Sequence, residues 1–211
     1  MPNWCENSLT VTYKNYPTKK EAKRLEELKN AINNWAILGQ YETGSLANIV
    51  ENARIGSLES LKTINYRGNM ISKPMIAYNN QLMFSFHSAW TPAMKIWTMI
   101  FDKYLGVDAY DIQYSAYEPG CQIYVTNNPE ILGKYHVDIY DDRSYESGED
   151  PNLSYYQYCA CAEDVKNHIE RIYNRVFKNA RDAIAYAETN DIEQIYINIH
   201  EWEYADVNEI E

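Results

Sequence analysis

The sequence predicts an α+β protein with a mostly antiparallel sheet and helices on one face of that sheet. Residues 8–14 and 81–87 alternate apolar and polar side chains, which is typical of strands with one buried face. Residues 18–37 and 92–105 repeat apolar side chains every three or four positions, which is typical of amphipathic helices. Because a hairpin turn at residues 118–120 also joins two strand-like segments, a sheet with helices packed on one side fits the pattern.

Both of these helices begin with recognisable start signals. Thr18 is predicted to cap the first helix, with Glu21 three residues later completing a capping box, and Gly39 is predicted to end it. Thr91 is predicted to cap the second helix, with Pro92 at its first position, where a missing N–H leaves no bond unmade.

The other predicted elements are shorter. They are two helical patterns within residues 44–66, a loop at 67–80, strands at 108–117, 121–126, 134–142 and 155–161, a loop at 141–154, helices at 163–178 and 180–188, and a closing strand at 193–203. We predict a ferredoxin-like arrangement for residues 1–137, with a helical insertion at about 39–80. Residues 138–211 are predicted to form an acidic strand–helix–strand extension that could pack on the same sheet.

The net charge of −11 is concentrated in the last third of the chain. Residues 1–137 contain 13 Lys/Arg and 12 Asp/Glu, whereas residues 138–211 contain 6 Lys/Arg and 18 Asp/Glu. A negative field of this kind repels nucleic acids and anionic membranes, and it attracts basic protein surfaces.

Composition also indicates a compartment. No run approaches the roughly 18 apolar residues that a membrane-spanning helix needs, and the polar start of the chain shows no signal-peptide pattern. The four cysteines are too few and too scattered for a disulfide framework. We therefore expect a cytoplasmic protein.

Three short segments place a bulky or reactive side chain beside a turn-forming residue at the end of a predicted strand. They read PNWCENSLTV from residue 2, FSFHSAWTPAMKIW from residue 84 and YSAYEPGCQIYV from residue 114. Together they resemble the pattern of the YubB-like proteins, which have a ferredoxin-like domain of unknown function and occur on phages, prophages and conjugative plasmids. The resemblance covers residues 1–127. The chain departs from it at residues 91–93, where the family has Ser-Pro-Pro, and at residues 123–125, where it has Phe-x-Gly.

The resemblance implies a small protein carried by a mobile element, acting in the host cytoplasm if a phage encodes it. It implies no established enzymatic activity. Proteins from such elements often interfere with host defence, which is an association and not a physical argument.

The cysteines are candidates for metal binding or catalysis. Cys159 and Cys161 would share one face of a strand, where His136 or His168 could join them on zinc. A second pair of ligands at zinc-site spacing is missing, so buried thiols are the preferred interpretation. Cys5 could act as a nucleophile, but its acidic neighbour disfavours a reactive thiolate, and packing is preferred.

Other chemistry has weak support. His87 at a strand end, with Glu118 of the hairpin turn, is the best acid–base candidate, although a histidine in this position more often serves the scaffold. The sequence contains no phosphate-binding glycine-rich loop, no nucleophile elbow and no zinc-binding helix motif, so we predict no cofactor and no metal.

The acidic last third is the remaining candidate for a functional surface. Carboxylates on a folded frame can occupy the positions of phosphates, and aromatic side chains add contact area. The competing interpretation is a solvated face that only aids solubility. The predicted partner-binding residues are Asp138, Tyr140, Asp141, Asp142, Tyr145, Glu146, Glu149, Asp150, Glu201, Glu203 and Asp206.

We therefore expect a non-enzymatic inhibitor from a mobile element. It would imitate nucleic acid and bind the basic groove of a host defence protein, such as a CRISPR effector or another nuclease, without binding nucleic acid or membrane itself. The first alternative is a ferredoxin-like module that binds nucleic acid through aromatic side chains of its sheet. The second is an enzyme that uses His87 and Glu118.

Overall fold

The computed structural model describes residues 3–56, 61–78, 80–141, 154–208 and 210. The chain divides into two compact units, one formed by Met1–Asn128 with Tyr204–Glu211 and the other by Pro129–Glu203. The described residues form five α-helices and mostly antiparallel sheets, which confirms the α+β class. Among these helices, none combines the length and apolar character needed to cross a membrane.

The first unit is built on one sheet. Its elements are β1 (Trp4–Tyr13), α1 (Lys19–Ile37), α2 (Leu46–Ala53), β2 (Gly68–Met70), β3 (Met75–Ala77), β4 (Gln81–Ala89), α3 (Met94–Tyr104), β5 (Tyr110–Glu118) and β6 (Ile123–Thr126). β1 is central and pairs antiparallel with β4 on one side and with β5 on the other. β2 and β3 pair with β4, and β6 pairs with β5.

The helices of this unit pack on one face of the sheet. β1 buries every second side chain from Cys5 to Tyr13, as the period of a strand requires. The Trp97 ring of α3 lies 4.4 Å from the ring of Phe84 and 5.4 Å from the ring of Phe86, measured between centroids. Burial of each such side chain stabilises the fold by about 1.5–3 kcal/mol. The opposite face of the sheet carries the alternate side chains and is more polar.

The capping box of α1 is present as predicted. The Thr18 hydroxyl accepts a hydrogen bond from Glu21 N at 3.3 Å, and the Glu21 carboxylate accepts one from Thr18 N at 2.7 Å. The Thr18 hydroxyl also donates to the Glu21 carboxylate at 2.7 Å, and this bond, followed by the one from Thr18 N, lowers the pKa of Glu21. The helix ends at Ile37, because Leu38 has an extended backbone.

The predicted start of α3 is wrong. The helix begins at Met94 with Ala93 as its N-cap, and no side chain caps it. The Thr91 hydroxyl instead accepts a hydrogen bond from Asn65 Nδ2 at 3.2 Å, and the Thr91 carbonyl accepts others from Asn65 Nδ2 and from the Ser88 hydroxyl. A bond to a distant loop therefore replaces the local cap.

The predicted insertion is partly helical. α2 corresponds to the first short helical pattern, while the second falls partly on residues 57–60, which lie outside the described residues. β2 and β3 occupy the predicted loop at 67–80. A three-residue strand is too short to show an alternating pattern, and both strands form because β4 supplies hydrogen-bonding partners.

The second unit has a sheet of its own. Its elements are β7 (Tyr135–Asp141), β8 (Tyr155–Ala160), α4 (Ala162–Tyr173), α5 (Ala180–Thr189) and β9 (Ile195–Glu201), with strand order β8-β7-β9. The helices cover one face of this sheet, where Val137 and Ile139 cluster with Val165, Ile169 and Ala183. α4 is shorter than predicted, since Asn174 adopts a left-handed backbone (φ 47°) and leaves Val176 85 % exposed.

The boundary between the units differs from the predicted division at residue 137. β7 lies entirely within the second unit, so the division falls after Asn128. A final strand, β10 (Glu203–Tyr204), neighbours β6, and Ala205 N donates to Thr126 O at 3.1 Å. The last residues therefore belong to the first unit and not to a separate acidic extension.

Replacing the N-cap of α1 tests the local origin of this helix. Thr18→Ala removes both hydrogen bonds of the Thr18 hydroxyl but keeps the backbone N–H that donates to Glu21, and it should lower the free energy of unfolding by about 1 kcal/mol. Urea denaturation followed by circular dichroism measures the change. Lys20→Ala in the same exposed turn is the control and should change stability by less than about 0.5 kcal/mol. Equal effects of the two substitutions would contradict the capping role.

Candidate functional site

The three sequence motifs meet at one end of the first sheet. Trp4 pairs with Ala89 and Cys5 with Ser88, which joins the first motif to the second. Glu6 pairs with Tyr117, which joins the first motif to the third. Trp90 N also donates to Asn3 O at 2.9 Å. Segments more than 100 residues apart in the sequence therefore form one structural element, with different side chains on the two faces of the sheet.

The buried side of this element is a hydrogen-bonded scaffold. The Asn7 amide nitrogen donates to Cys5 O at 2.9 Å, to Phe86 O at 3.2 Å and to the Ser88 hydroxyl at 2.9 Å. The Ser88 hydroxyl donates to Thr91 O at 2.7 Å. Because Asn7 and Ser88 are fully buried, these bonds are costly to lose, and they fix the end of β4 against β1.

Cys5 lies in this scaffold and lacks the properties of a nucleophile. Burial, followed by the nearby Glu118 carboxylate, raises the pKa of the Cys5 thiol to about 12. A reactive cysteine requires a thiolate, which such a pKa disfavours at neutral pH. The geometry therefore supports packing as the role of Cys5.

Glu118 is placed away from His87, which corrects the predicted acid–base pair. The Glu118 carboxylate accepts hydrogen bonds from Gly120 N at 3.0 Å and from Cys121 N, and so caps the turn after β5. Its side chain is buried, on the face of the sheet opposite to the face that carries Tyr117 and Glu6. His87 lies on that second face, because it pairs with Glu6.

The open face of the motif end carries a row of polar and aromatic side chains. Tyr124, Tyr117, Glu6 and His87 follow one another across four neighbouring strands; Tyr124 is buried, whereas the other three are partly exposed. The Tyr117 hydroxyl donates to Glu6 Oε2 at 2.9 Å, and the Trp4 ring lies 6.2 Å from the His87 ring. This row has one carboxylate at its centre, so it offers no cationic site for a phosphate backbone.

The acidic residues predicted to bind a partner do not form one surface where they are described. Asp141 is 2 % exposed, and it lies on the helix-covered face of the second sheet because it is three positions from Asp138. Glu201 pairs with Tyr135 and shares that helix-covered side, although it is exposed at the strand end. The strand register thus separates Asp138 from Asp141 and Glu201.

The remaining predicted residues lie elsewhere. Glu203 is exposed in β10. Asp206 belongs to the first unit, where its carboxylate accepts hydrogen bonds from the backbone and side chain of Asn208, both at 2.9 Å. Five predicted residues lie outside the described part of the chain, namely Asp142, Tyr145, Glu146, Glu149 and Asp150. The described carboxylates therefore do not form the single acidic surface that the sequence predicted.

The second sheet has an open face dominated by tyrosines. Tyr140, Tyr156 and Tyr196 are 48 %, 61 % and 57 % exposed. Tyr140 is the direct cross-strand partner of Tyr196, and Asp138 pairs with Tyr156 on the same face. We call Asp138, Tyr140, Tyr156 and Tyr196 the tyrosine face. One residue from β8, two from β7 and one from β9 contribute to it.

Two buried rings, His136 and Trp202, form an aromatic cluster that supports Tyr156 of the tyrosine face. The His136 ring meets the rings of Tyr156, Tyr158 and Trp202 edge-on, at centroid distances of 5.5, 6.1 and 6.3 Å. Trp202 Nε1 donates to Tyr158 O at 2.9 Å. A rigid support of this kind lowers the entropy that exposed side chains lose on binding.

Sequence reasoning identified Asp138 and Tyr140 of this face but missed Tyr156 and Tyr196. The alternation of isoleucine with polar residues in β9 already placed Tyr196 opposite the core, so its exposure was available as a signal. Tyr156 was harder to identify, because the register of β7 and β8 shifts between Tyr135 and Val137.

The cysteine pair offers no metal centre within the described ranges. No group of three or more His, Cys, Asp or Glu side chains there is arranged to hold a metal ion. Cys161 is exposed and its sulfur lies 3.0 Å from the Asp164 carboxylate, whereas Cys159 is partly buried.

Comparisons with known proteins identify no relative, so the function is inferred from the geometry. No family model, no curated protein and no solved structure matches this chain.

Removing the Asn7 amide tests the scaffold at the motif end. Asn7→Ala leaves two buried carbonyls and the Ser88 hydroxyl without their donor, and should lower the free energy of unfolding by about 1–3 kcal/mol. Urea denaturation measures it. Ser8→Ala is the matched control, because Ser8 faces the other side of β1 and shares only a 3.3 Å contact with Ser85. A loss as large for Ser8→Ala would argue against the network.

Thiol labelling tests the assignment of Cys5. At about pH 8, a disulfide reagent should modify the exposed Cys161 in the native protein, and the exposed Cys121 more slowly, because its hydrogen bond to Glu118 raises the pKa of its thiol. Cys5 should react only after unfolding, because it is buried and its pKa is raised to about 12. Mass spectrometry of tryptic peptides locates the modification. Cys5→Ala should leave the number of native-state reactive thiols unchanged. Native labelling of Cys5 as fast as Cys161 would refute this assignment.

Proposed function

We propose that this chain is a non-enzymatic inhibitor from a phage or another mobile element. It binds a basic, nucleic-acid-binding surface of a host defence protein, such as a CRISPR effector, and excludes nucleic acid from that surface. The observation that carries the proposal is the tyrosine face of the second sheet, which is exposed opposite a face already occupied by helices.

Exposed tyrosines are well suited to protein recognition. A phenol ring offers a large contact area at a small cost in side-chain entropy, and tyrosine is enriched at the centres of protein interfaces. The strand register places Tyr140 directly opposite Tyr196 and places Tyr156 on the same face, so three exposed tyrosines lie on one face across three strands. A single exposed tyrosine would need no explanation, whereas this set on one face supports a binding surface.

Charge favours a basic partner. The second unit contains 7 Lys/Arg and 16 Asp/Glu, which gives it a net charge of −9. This field attracts a Lys/Arg-lined groove and repels bare nucleic acid. The tyrosine face and the negative field of the whole second unit therefore support binding to a basic partner, without a single surface of clustered carboxylates.

We further propose that the first unit is ferredoxin-like, in keeping with its resemblance to the YubB-like proteins, and that the protein acts in the host cytoplasm. The strand order β5-β1-β4-β2 supports the fold. In a ferredoxin-like sheet, the fourth strand lies beside the first, then come the third and the second, and here α1 follows β1 while α3 joins β4 to β5.

Substitution on the tyrosine face tests the binding function. The partner is first captured from a nuclease-treated host lysate, identified by mass spectrometry, purified and titrated by surface plasmon resonance. The double variant Tyr140→Ala/Tyr196→Ala should weaken the complex at least about tenfold, because two contact rings are lost. If this chain occupies the nucleic-acid site of the partner, excess DNA or RNA should displace the chain from the partner.

The control is Tyr16→Ala, which removes an 88 % exposed tyrosine from the first unit and should leave affinity unchanged. Equal binding by the double variant would exclude the tyrosine face as the interface. Tight binding of bare DNA or RNA by the wild-type protein at physiological salt would favour the nucleic-acid-binding module instead.

A further inference from the structure

A groove in the first unit is lined by aromatic and basic side chains, although the chain as a whole is acidic. It has a volume of about 490 Å³ and is bounded by residues 41–47, residues 62–69 and Trp4. This volume lies within the range of small-ligand sites, roughly 300–1,000 Å³. The groove is separate from the tyrosine face, because all of its lining residues belong to the first unit.

One wall of the groove is held by Asn65. The Asn65 amide nitrogen donates to Ala89 O at 2.8 Å and to Thr91 O at 2.9 Å. Arg67 N donates to Asn65 Oδ1 at 3.3 Å, and Arg67 O accepts from Ala89 N at 2.8 Å. These bonds attach residues 65–67 to the end of β4. The second sequence motif, which includes Ala89 and Thr91, thereby gains a role in forming the groove.

Gly68, which follows Arg67, brings this wall of the groove close to the sheet. A Cβ atom on Gly68 would lie 1.9 Å from His87 O, so only glycine allows this approach of the two backbones.

The opposite wall is fixed by a buried asparagine. Tyr41 N donates to Asn48 Oδ1 at 3.2 Å, and Asn48 Nδ2 donates to Tyr41 O at 3.3 Å. Asn48 is fully buried in α2, so both backbone groups of Tyr41 are held by a rigid element. Both walls are therefore formed before any ligand binds, which lowers the entropic cost of binding.

The lining combines aromatic rings with positive charge. Among the described residues that line it, Trp4, Tyr41 and Tyr66 supply the rings, Lys62 and Arg67 supply positive charge, and Glu42 supplies a carboxylate. Trp4 and Tyr41 are 42 % and 41 % exposed, so their rings are accessible. Within the described residues, no carboxylate lies within ion-pair distance of Arg67.

This combination selects a ligand that has both a planar ring and a negative charge. Aromatic side chains stack on nucleobases, and Arg and Lys bind phosphates. The volume suits one nucleotide, and a longer strand would bring further phosphates towards a chain of net charge −11. We propose that the groove binds a nucleoside monophosphate, with the base against Trp4 and Tyr41 and the phosphate held by Lys62 and Arg67.

Calorimetric titration tests the site. AMP, GMP, CMP and UMP are titrated into the full chain, with adenosine and inorganic phosphate as separate probes for the two halves of the ligand. At least one nucleotide should bind with Kd below about 1 mM, and about tenfold more tightly than either half alone. Arg67→Gln and Trp4→Leu should each raise this Kd at least about fivefold, because one removes a phosphate contact and the other a stacking ring.

The control is Lys20→Gln, which removes an exposed cation of α1 outside the groove and should leave Kd unchanged. Circular dichroism shows whether each variant is folded. The proposal is overturned if no nucleotide produces a signal at about 5 mM, or if Arg67→Gln and Trp4→Leu, both folded, bind like the wild type. A single-stranded decanucleotide that binds more tightly than every mononucleotide, and loses affinity in the same variants, would also overturn it in favour of a strand-binding site.

Because the groove and the tyrosine face are proposed to bind different ligands, each proposal can be contradicted without affecting the other. Groove variants should keep full affinity for the protein partner, and the Tyr140→Ala/Tyr196→Ala variant should keep nucleotide binding.

Discussion

The central strand β1 is the constraint on which the first unit depends. It is paired along most of its length with β4 on one side and with β5 on the other, so its two faces decide which side chains are buried and which are presented. Asn7 on its buried face ties β1 to the end of β4, while Glu6 on its open face meets Tyr117 of β5. The Asn7 bonds reinforce the backbone pairing at the end of β4, next to the Ala89 and Thr91 carbonyls that hold Asn65 beside the groove.

Local sequence signals were sufficient wherever a local interaction decides the structure. The capping box at Thr18 predicted α1, and the alternation in residues 81–87 predicted β4, because the stabilising partners lie within a few residues or on one repeating face. The alternation in residues 8–14 predicted β1 but missed its first four residues, which begin at Trp4. Local signals were insufficient at Thr91, where a bond to Asn65, 26 residues away, replaces the expected helix cap. They also failed for β2 and β3, which exist only because β4 provides the edge on which they pair.

For the candidate surfaces, too, the sequence did not show how the side chains are arranged. Composition located the negative charge correctly in the last third, but it could not show on which face of a strand each carboxylate lies. Asp138 and Asp141 are three positions apart in β7, and an odd spacing sends them to opposite faces, so Asp141 is buried. Tyr156 became part of the tyrosine face through pairing with Asp138, and the irregular register of β7 and β8 is not visible in the sequence.

Net charge and local charge act at different distances in this molecule, which is why one chain can offer sites of opposite character. At physiological ionic strength the Debye length is about 8 Å, so a ligand inside the groove responds mainly to the side chains that line it. Among the described residues that line the groove, Lys62 and Arg67 outnumber Glu42, although the chain as a whole is strongly acidic. A large protein partner instead covers many charges at once and responds to the −9 of the whole second unit. Added salt should therefore slow association with the proposed protein partner, whereas for the proposed nucleotide it should weaken only the phosphate contacts and leave stacking on Trp4 and Tyr41 almost unchanged.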